Sequence, residues 1–323
     1  MLVIPESEAR ALVAMPDAIE MVAETFAALD RAEAASYPVV RERLGTHAAV
    51  FGVKTGYDRA AGTLGLKAGG YWPHNAARGL TNHQSTTLLF DPETGRAAAL
   101  VGANYLTGVR TGAAAALATR HLARPDARVL GFVGTGTQAL YQLDAIRCVR
   151  PLSEVVAWNR SPARLEPFLD AVRSRGLVAR AASLEETVRA ADILVTATPG
   201  QEPLVRADWV RAGTHINAVG ADTAGKQELE AALVAGAAVY VDSLEQAITI
   251  GECQHAVRGG LLTPERIRGT LGGLVSGRLP GRTDAAEITL FDSTGIALQD
   301  LAVAALAVRR AGERGRGTAV EFG

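Results

Sequence analysis

The sequence predicts an α/β protein in two parts: a mostly antiparallel sheet early in the chain and a doubly wound parallel sheet after it. Three observations carry this. Five short strand-like runs separated by turn residues crowd into residues 37–101. From Ala127 onward, strand and helix patterns alternate, as crossover connections in a parallel sheet require. At the first alternation, Gly134-Thr135-Gly136-Thr137-Gln138-Ala139 follows a strand and opens a helix, the context a Rossmann-type phosphate turn needs.

Roughly the first 35 residues read as helix, with Ser7 as N-cap and Pro16 opening a second segment in which Ile19, Val22, Phe26 and Leu29 recur at helical spacing. Residues 37–44, 49–54, 64–70, 86–90 and 97–101 read as strands. Residues 106–122 form an alanine-rich helix, and Arg124-Pro125-Asp126 reads as a linker into a new unit. Strands then fall at 128–133, 154–158, 193–196, 214–219, 238–241 and 287–290, with helices at 138–148 and 162–175 and a last long helix at 296–310. The tail from Gly312 reads as frayed.

With 48% hydrophobic and 21% charged residues, the 323-residue chain can bury a sizeable core, which excludes disorder as its main state. Thirty-three Lys+Arg against 34 Asp+Glu give a net charge of −1, so nothing advertises a nucleic-acid partner. The start carries no signal-peptide pattern, and the apolar stretch 112–118 is too short to cross a bilayer, so no membrane association is expected. Cys148 and Cys253, the only two cysteines, suit a reducing cytoplasm. The six histidines lack ligand spacing, and no metal is expected.

The glycine turn has a defined chemistry. Gly134 permits the tight turn, Gly136 lets backbone approach a pyrophosphate, and Ala139 allows close helix–strand packing, while the helix N-terminus offers free N–H groups to the anion. The second strand of this unit ends in Trp158-Asn159-Arg160-Ser161, without the acidic residue that holds the ribose of NAD. Asn159 and Arg160 can accommodate a 2′-phosphate, which leans towards NADP, and Asn159 can also bond an unphosphorylated ribose. These residues leave the cofactor preference open.

In the first part, Lys67 sits in an apolar strand followed by Gly69 and Gly70. Arg110 falls near the start of the alanine-rich helix, where a cation opposes the helix dipole, so it answers to an anion. A hairpin centred between Ala60 and Ala61 sets Lys54 directly across from Lys67. Two cations facing each other are destabilising unless an anion sits between them, and a substrate with two carboxylates would supply it. His83 and Tyr71 could add donors. A slip of one residue would turn Lys54 to the other face.

Taken together, Lys67 before Pro73-x-Asn75, Leu106-Thr107-x-x-Arg110-Thr111, the glycine turn, Val219-Gly220-Ala221-Asp222-x-x-Gly225-Lys226-x-Glu228-Leu229 and Asp292-Ser293-Thr294-Gly295-x-x-x-Gln299-Asp300 resemble the ornithine cyclodeaminase/μ-crystallin family over nearly the whole chain. The resemblance implies a Rossmann domain over residues 124–294. It also implies an α/β substrate-binding and dimerisation domain over residues 1–123, completed by the C-terminal helix of 295–323, in a homodimer. It places Arg41, Lys67 and Arg110 on a substrate carboxylate, with Arg43 competing for the place of Arg41, and makes Lys67 and Asp222 the catalytic pair. Thr86, Arg110, Thr111, Thr137, Gln138, Asn159, Arg160, Thr198, Val219, Lys226 and Ser293 would join Gly134 and Gly136 on the dinucleotide. Lys54 and His83 would take a second carboxylate. The implied activity is reduction of a 2-imino acid to an amino acid. Segments such as Asn82-His83-Gln84 are most similar to members that reduce iminosuccinate to L-aspartate with NADH, which ranks NADH ahead of NADPH. Ornithine cyclodeamination, cyclic-imine reduction and non-catalytic dinucleotide binding are the competing readings.

Overall fold

The computed structural model describes residues 1–322. In chain order the first elements are β1 (Leu2–Ile4), α1 (Glu6–Leu12), α2 (Met15–Asp30), β2 (Ala34–Ser36), β3 (Val40–Arg43), β4 (Val50–Asp58), β5 (Thr63–Tyr71), β6 (His83–Phe90), β7 (Ala97–Gly102) and α3 (Asn104–Leu122). There follow β8 (Val129–Val133), α4 (Thr137–Arg147), β9 (Glu154–Trp158), α5 (Leu165–Arg173), β10 (Val178–Ala181), α6 (Leu184–Ala190), β11 (Ile193–Thr196), β12 (Gln201–Val205), β13 (His215–Ala218) and β14 (Gln227–Leu229). The last are α7 (Ala231–Gly236), β15 (Ala238–Val241), α8 (Leu244–Thr249), α9 (Gln254–Arg258), β16 (Gly269–Thr270), α10 (Leu271–Val275), β17 (Thr289–Asp292), α11 (Ala297–Arg314) and β18 (Thr318–Ala319).

The chain divides into two compact units, Met1–Arg110 with the chain from Ile296 onward, and Thr111–Gly295. The division falls inside α3, not at residues 123/124 where the linker pattern suggested it. The reason lies in the first turns of α3. Glu6 accepts hydrogen bonds from the N–H groups of Asn104 and Tyr105, and Arg110 reaches Asp300, so this segment is tied to the first unit.

In the first unit the strands run in the order β18-β1-β7-β6-β5-β4-β2, with β3 also on β4; β1 and β7 are parallel and the other pairs antiparallel. One face is covered: a Cβ at Gly56 would meet Leu298 at 3.0 Å, and one at Gly65 would meet Leu301 at 3.1 Å, both on α11. The other face carries Val53, Tyr57, Leu64, Leu66, Leu88, Phe90 and Leu100 and stays half-exposed. The sequence pattern missed β1, a three-residue strand whose pairing is wholly long-range. It also misread the tail. Gly315 and Gly317, at φ 60° and 83°, turn the chain back so that β18 pairs with β1. Helix α1 begins after Pro5, not at a Ser7 cap.

The second unit holds an eight-stranded sheet in the order β10-β9-β8-β11-β13-β17-β15-β16, every pair parallel. Its strands are apolar on both sides, as a sheet covered on both faces demands. Leu130, Phe132, Ile193 and Val195 point to one core, and Val133, Leu194, Ile216, Val239 and Leu290 to the other. The chain leaves β8 in one direction through β9 and β10, then returns to β11 on the other side. That reversal creates a switch point at the carboxyl ends of β8 and β11, where ligands bind in such sheets. The short β10, β12, β14 and β16 carry too few apolar residues to be read from pattern.

Candidate active site

The second unit presents the dinucleotide turn as its glycines require. Gly134 has φ +97°, and a side chain there would run into Thr198 at 2.8 Å and the Ala197 carbonyl at 2.9 Å. Gly136 is the N-cap of α4, and a Cβ there would meet nothing within 4 Å. No side chain caps α4, which leaves its first-turn N–H groups for an anion. Gln138 Oε1 and Ser293 Oγ are buried without a hydrogen-bond partner among the described residues. Buried polar atoms of this kind call for a ligand or water partner. Turn, open approach and orphaned polar atoms together fit a dinucleotide. Thr137 lies exposed in the first turn of α4, Val219 half-buried after β13, and Thr111 buried on α3.

Asn159 spends its amide on the turn itself: Nδ2 donates to Thr135 Oγ1 at 2.7 Å and Oδ1 accepts from Ser161 N at 2.8 Å. Arg160 is exposed beside it. Lys226, expected on the dinucleotide, is engaged elsewhere. Its ammonium lies 2.6 Å from Asp222 Oδ1 and 3.2 Å from the Gly220 carbonyl, so it braces Asp222. Thr223 Oγ1 also donates to Asp222 Oδ1. Asp222 remains about one-third exposed.

Strand register builds the site of the first unit. Lys54 pairs directly with Lys67, and Lys67 with Thr87, so the three share a face. The next row is Arg41, Gly52, Gly69 and Ser85, and the one beyond it Arg43, Val50, Tyr71 and His83. Gly52 and Gly69 therefore form a strip without side chains beside Arg41, between the lysine row and the row of Tyr71 and His83. Arg41 and Arg43 share this face; Arg41 adjoins the glycine strip and is half-buried, whereas Arg43 is exposed. His83 stands four residues of strand from the lysine row, about 13 Å at the usual rise, so the structure brings Lys54 but not His83 against Lys67. Thr86 pairs with Ala68 and points to the opposite, exposed face. Thr87, not singled out from the sequence, is the residue that pairs with Lys67.

The anion between the lysines comes from the chain itself. Asp300, in the first turn of α11, lies 2.9 Å from Lys67 Nζ and 3.0 Å from Arg110 Nε, and Arg110 Nη1 also donates to Gln299 Oε1. All three charged groups are buried. Burial pulls the Lys67 ammonium down to about 7; Asp300 resists this, while Arg110 and Lys54 add to it. Burial raises the Asp300 carboxyl, but Arg110, Lys67 and Lys54 outweigh that and hold it below the ordinary range. Arg110 sits in the second turn of α3, not the first, so its anion reflects Asp300 rather than the helix dipole. Pattern reading did not single out Asp300, because an acid in a first helical turn is ordinary. The available signal was an acid set among Leu298, Leu301 and Val303 on a buried helix.

Fold and site thus define a two-unit, Rossmann-type dinucleotide-binding protein whose other unit gathers cations around a strip of glycines. The chain belongs to the ornithine cyclodeaminase/mu-crystallin family, whose model matches residues 2–314. It is 45% identical over 322 residues to the iminosuccinate reductase of Paracoccus denitrificans, with all of both chains covered. The structure of that reductase with NAD+ superposes with a TM-score of 0.94, covering 100% of this chain and 99% of the other. The Thermococcus litoralis Δ1-pyrroline-2-carboxylate reductase, solved with NADH and L-proline, is 32% identical with a TM-score of 0.96, covering 99% of this chain and 100% of that one. An archaeal alanine dehydrogenase dimer with bound NAD is 37% identical with a TM-score of 0.95, covering 100% and 99%.

Two outcomes follow from this geometry. Gly136→Val fills open space at an ordinary backbone conformation, so thermal denaturation should shift by no more than about 2 °C, while the branched side chain blocks the pyrophosphate and calorimetry finds no NADH binding. Asp300→Asn removes the charge that holds Lys67 protonated. The midpoint of Lys67 acylation against pH then falls from near 7 by at least about one unit, and stability drops by roughly 3–5 kcal/mol. An upward or absent shift of that midpoint would refute the assignment.

Proposed function

We propose that this chain is an imino-acid reductase that converts iminosuccinate to L-aspartate with NADH. The observation that carries the reading is the register of the first unit: Lys54 lies directly across from Lys67, Arg41 sits in the next row, and Lys67 and Arg110 meet at Asp300. Cations set close together on one face suit a dianionic substrate better than the apolar or cationic tail of cyclic-imine reduction or cyclodeamination.

In this reading Arg41, Arg110 and Lys67 hold the α-carboxylate and Lys54 the second one. Gly52 and Gly69 keep the space over the sheet clear of side chains. Gln138 and Ser293, with the N–H groups of α4, hold the dinucleotide, which supplies the hydride to the α-carbon when bound. An iminium accepts hydride far better than a neutral imine, so the imine nitrogen must be protonated first. Asp222 serves as the acid/base group at that nitrogen and offsets the iminium charge, with Lys226 and Thr223 fixing its carboxylate. Lys67, set near neutrality by burial, can carry a proton at working pH. The similarity to relatives solved with NAD+ or NADH supports NADH over NADPH.

The half-exposed sheet face carries rows Val3-Leu100-Leu88-Leu66 and Val40-Val53-Ala68, with Val40 57% and Phe51 38% exposed. Contiguous apolar surface of this kind is suited to burial against a second copy. The chain forms a homodimer through this face, and light scattering should return twice the 33.7 kDa chain mass. Leu66→Glu should return the monomer mass; a monomeric parent protein would refute the assignment. Both cysteines are free thiols, which supports a reducing compartment such as the cytoplasm, a location that cell fractionation tests.

The functional test follows NADH oxidation with ammonia and either oxaloacetate, pyruvate or a cyclic imine. Oxaloacetate should be the best substrate. Lys54→Met should raise KM for the four-carbon imine by at least about thirtyfold, from the ~2–5 kcal/mol cost of leaving one charge unpaired, and change pyruvate-imine KM little. Equal losses on both would remove Lys54 from the second carboxylate. A preference for the cyclic imine would replace the reading with pyrroline-2-carboxylate reduction.

A further inference from the structure

The second unit buries several carboxylates that the mechanism does not use. Glu228 and Asp292 have no solvent exposure, Glu252 and Asp242 have 1% each, and among the described residues no group of three such side chains is placed to hold a metal ion. Most of them accept from backbone N–H groups: Asp242 from Gly295, Asp292 from Cys253, Glu252 from Glu228 and Leu229.

Glu228 differs in reaching two loops at once. Its Oε1 accepts from Thr198 N at 2.6 Å, in the loop after β11. Its Oε2 accepts from Gly220 N at 2.8 Å, in the loop after β13, and from Thr196 Oγ1 at 2.7 Å, at the end of β11. Gly220 has no room for a side chain because the Glu228 carboxyl fills that space. Thr198 backs the tight turn at Gly134, and the loop after β13 carries Val219 and Asp222. Glu252 secures the strand beneath through Glu228 N and Leu229 N. Burial raises the Glu228 carboxyl, and the three donors aimed at it oppose that rise.

We propose that Glu228 is a positioning residue for the dinucleotide: one buried carboxylate sets the separation of the loops after β11 and β13, and so the shape of the site that the coenzyme enters. The sheet ladder ties the two loops only as far as Val219 N on the Thr196 carbonyl; beyond that point a carboxylate bonded to one N–H from each holds them at a fixed spacing. The amide of Gln keeps the size of Glu but offers one acceptor oxygen. Placed to serve Gly220 and Thr196, it turns an NH2 group against Thr198 N–H and releases that loop.

The proposal rests on the dinucleotide reading of this unit, and NADH binding by the parent protein checks that reading separately. Glu228→Gln should raise Kd for NADH about tenfold by fluorescence titration, the effect of one buried donor left unpaired. KM for the imino acid should stay within about twofold, because that half of the chemistry lies on other residues. Thr196→Val deletes the one donor that belongs to neither loop and should bind NADH as the parent does. If Glu228→Gln does not fold, Glu228→Asp keeps the charge but is one methylene too short to span both loops, and should show the same rise in Kd. An unchanged Kd in a folded Glu228 variant overturns the proposal. So does a loss in Thr196→Val as large as in Glu228→Gln, which would mark a general packing effect. Failure of the parent protein to bind NADH removes the dinucleotide reading, and this proposal with it.

Discussion

The ion pair of Asp300 with Lys67 and Arg110 is the constraint on which the first unit depends. Antiparallel register forces Lys54 and Lys67 together on the covered face of the sheet, and Arg110 joins them from α3. Without an anion this arrangement would strip water from three cations and return nothing. Asp300 supplies a negative charge, held ionised by Arg110, Lys67 and Lys54, and so makes it possible to bury Lys67 and Arg110 on the covered face.

The two units handle anions by different physics. The first uses side-chain cations, whose charge is strong but costly to bury. The second uses backbone: glycine at a positive φ, an uncapped helix start and N–H groups tied down by carboxylates from below. Backbone donors carry no net charge, so they can be buried beside Glu228, Glu252 and Asp292 without counter-ions. Asp222, also in the second unit, differs from these buried carboxylates: it is partly exposed and paired with Lys226.

How far the sequence revealed this depends on the range of the interaction. The glycine turn was legible because its chemistry lies within six consecutive residues. The Lys54–Lys67 pairing was legible because a hairpin links residues close in sequence, and the register agrees with a turn centred between Ala60 and Ala61. Asp300 was not, since 233 residues separate it from Lys67 and nothing local marks the partnership. Thr87 was not legible for a related reason: adjacent Thr86 and Thr87 point in opposite directions, and only the pairing with β5 decides which faces the lysine. The strand β18 escaped notice because two residues pairing with the chain's beginning leave no pattern of their own.

The discontinuous make-up of the first unit has a consequence for the order of assembly. Apart from β18, its sheet is encoded before residue 103, yet the helix that covers one face, and the acid that neutralises its cations, come after nearly two hundred residues of a second, sequence-contiguous unit. During synthesis the early strands therefore wait, cationic and half-covered, while the parallel sheet is made. The cations gain their counter-ion only when α11 arrives, so Asp300 ties completion of the first unit to prior synthesis of the second.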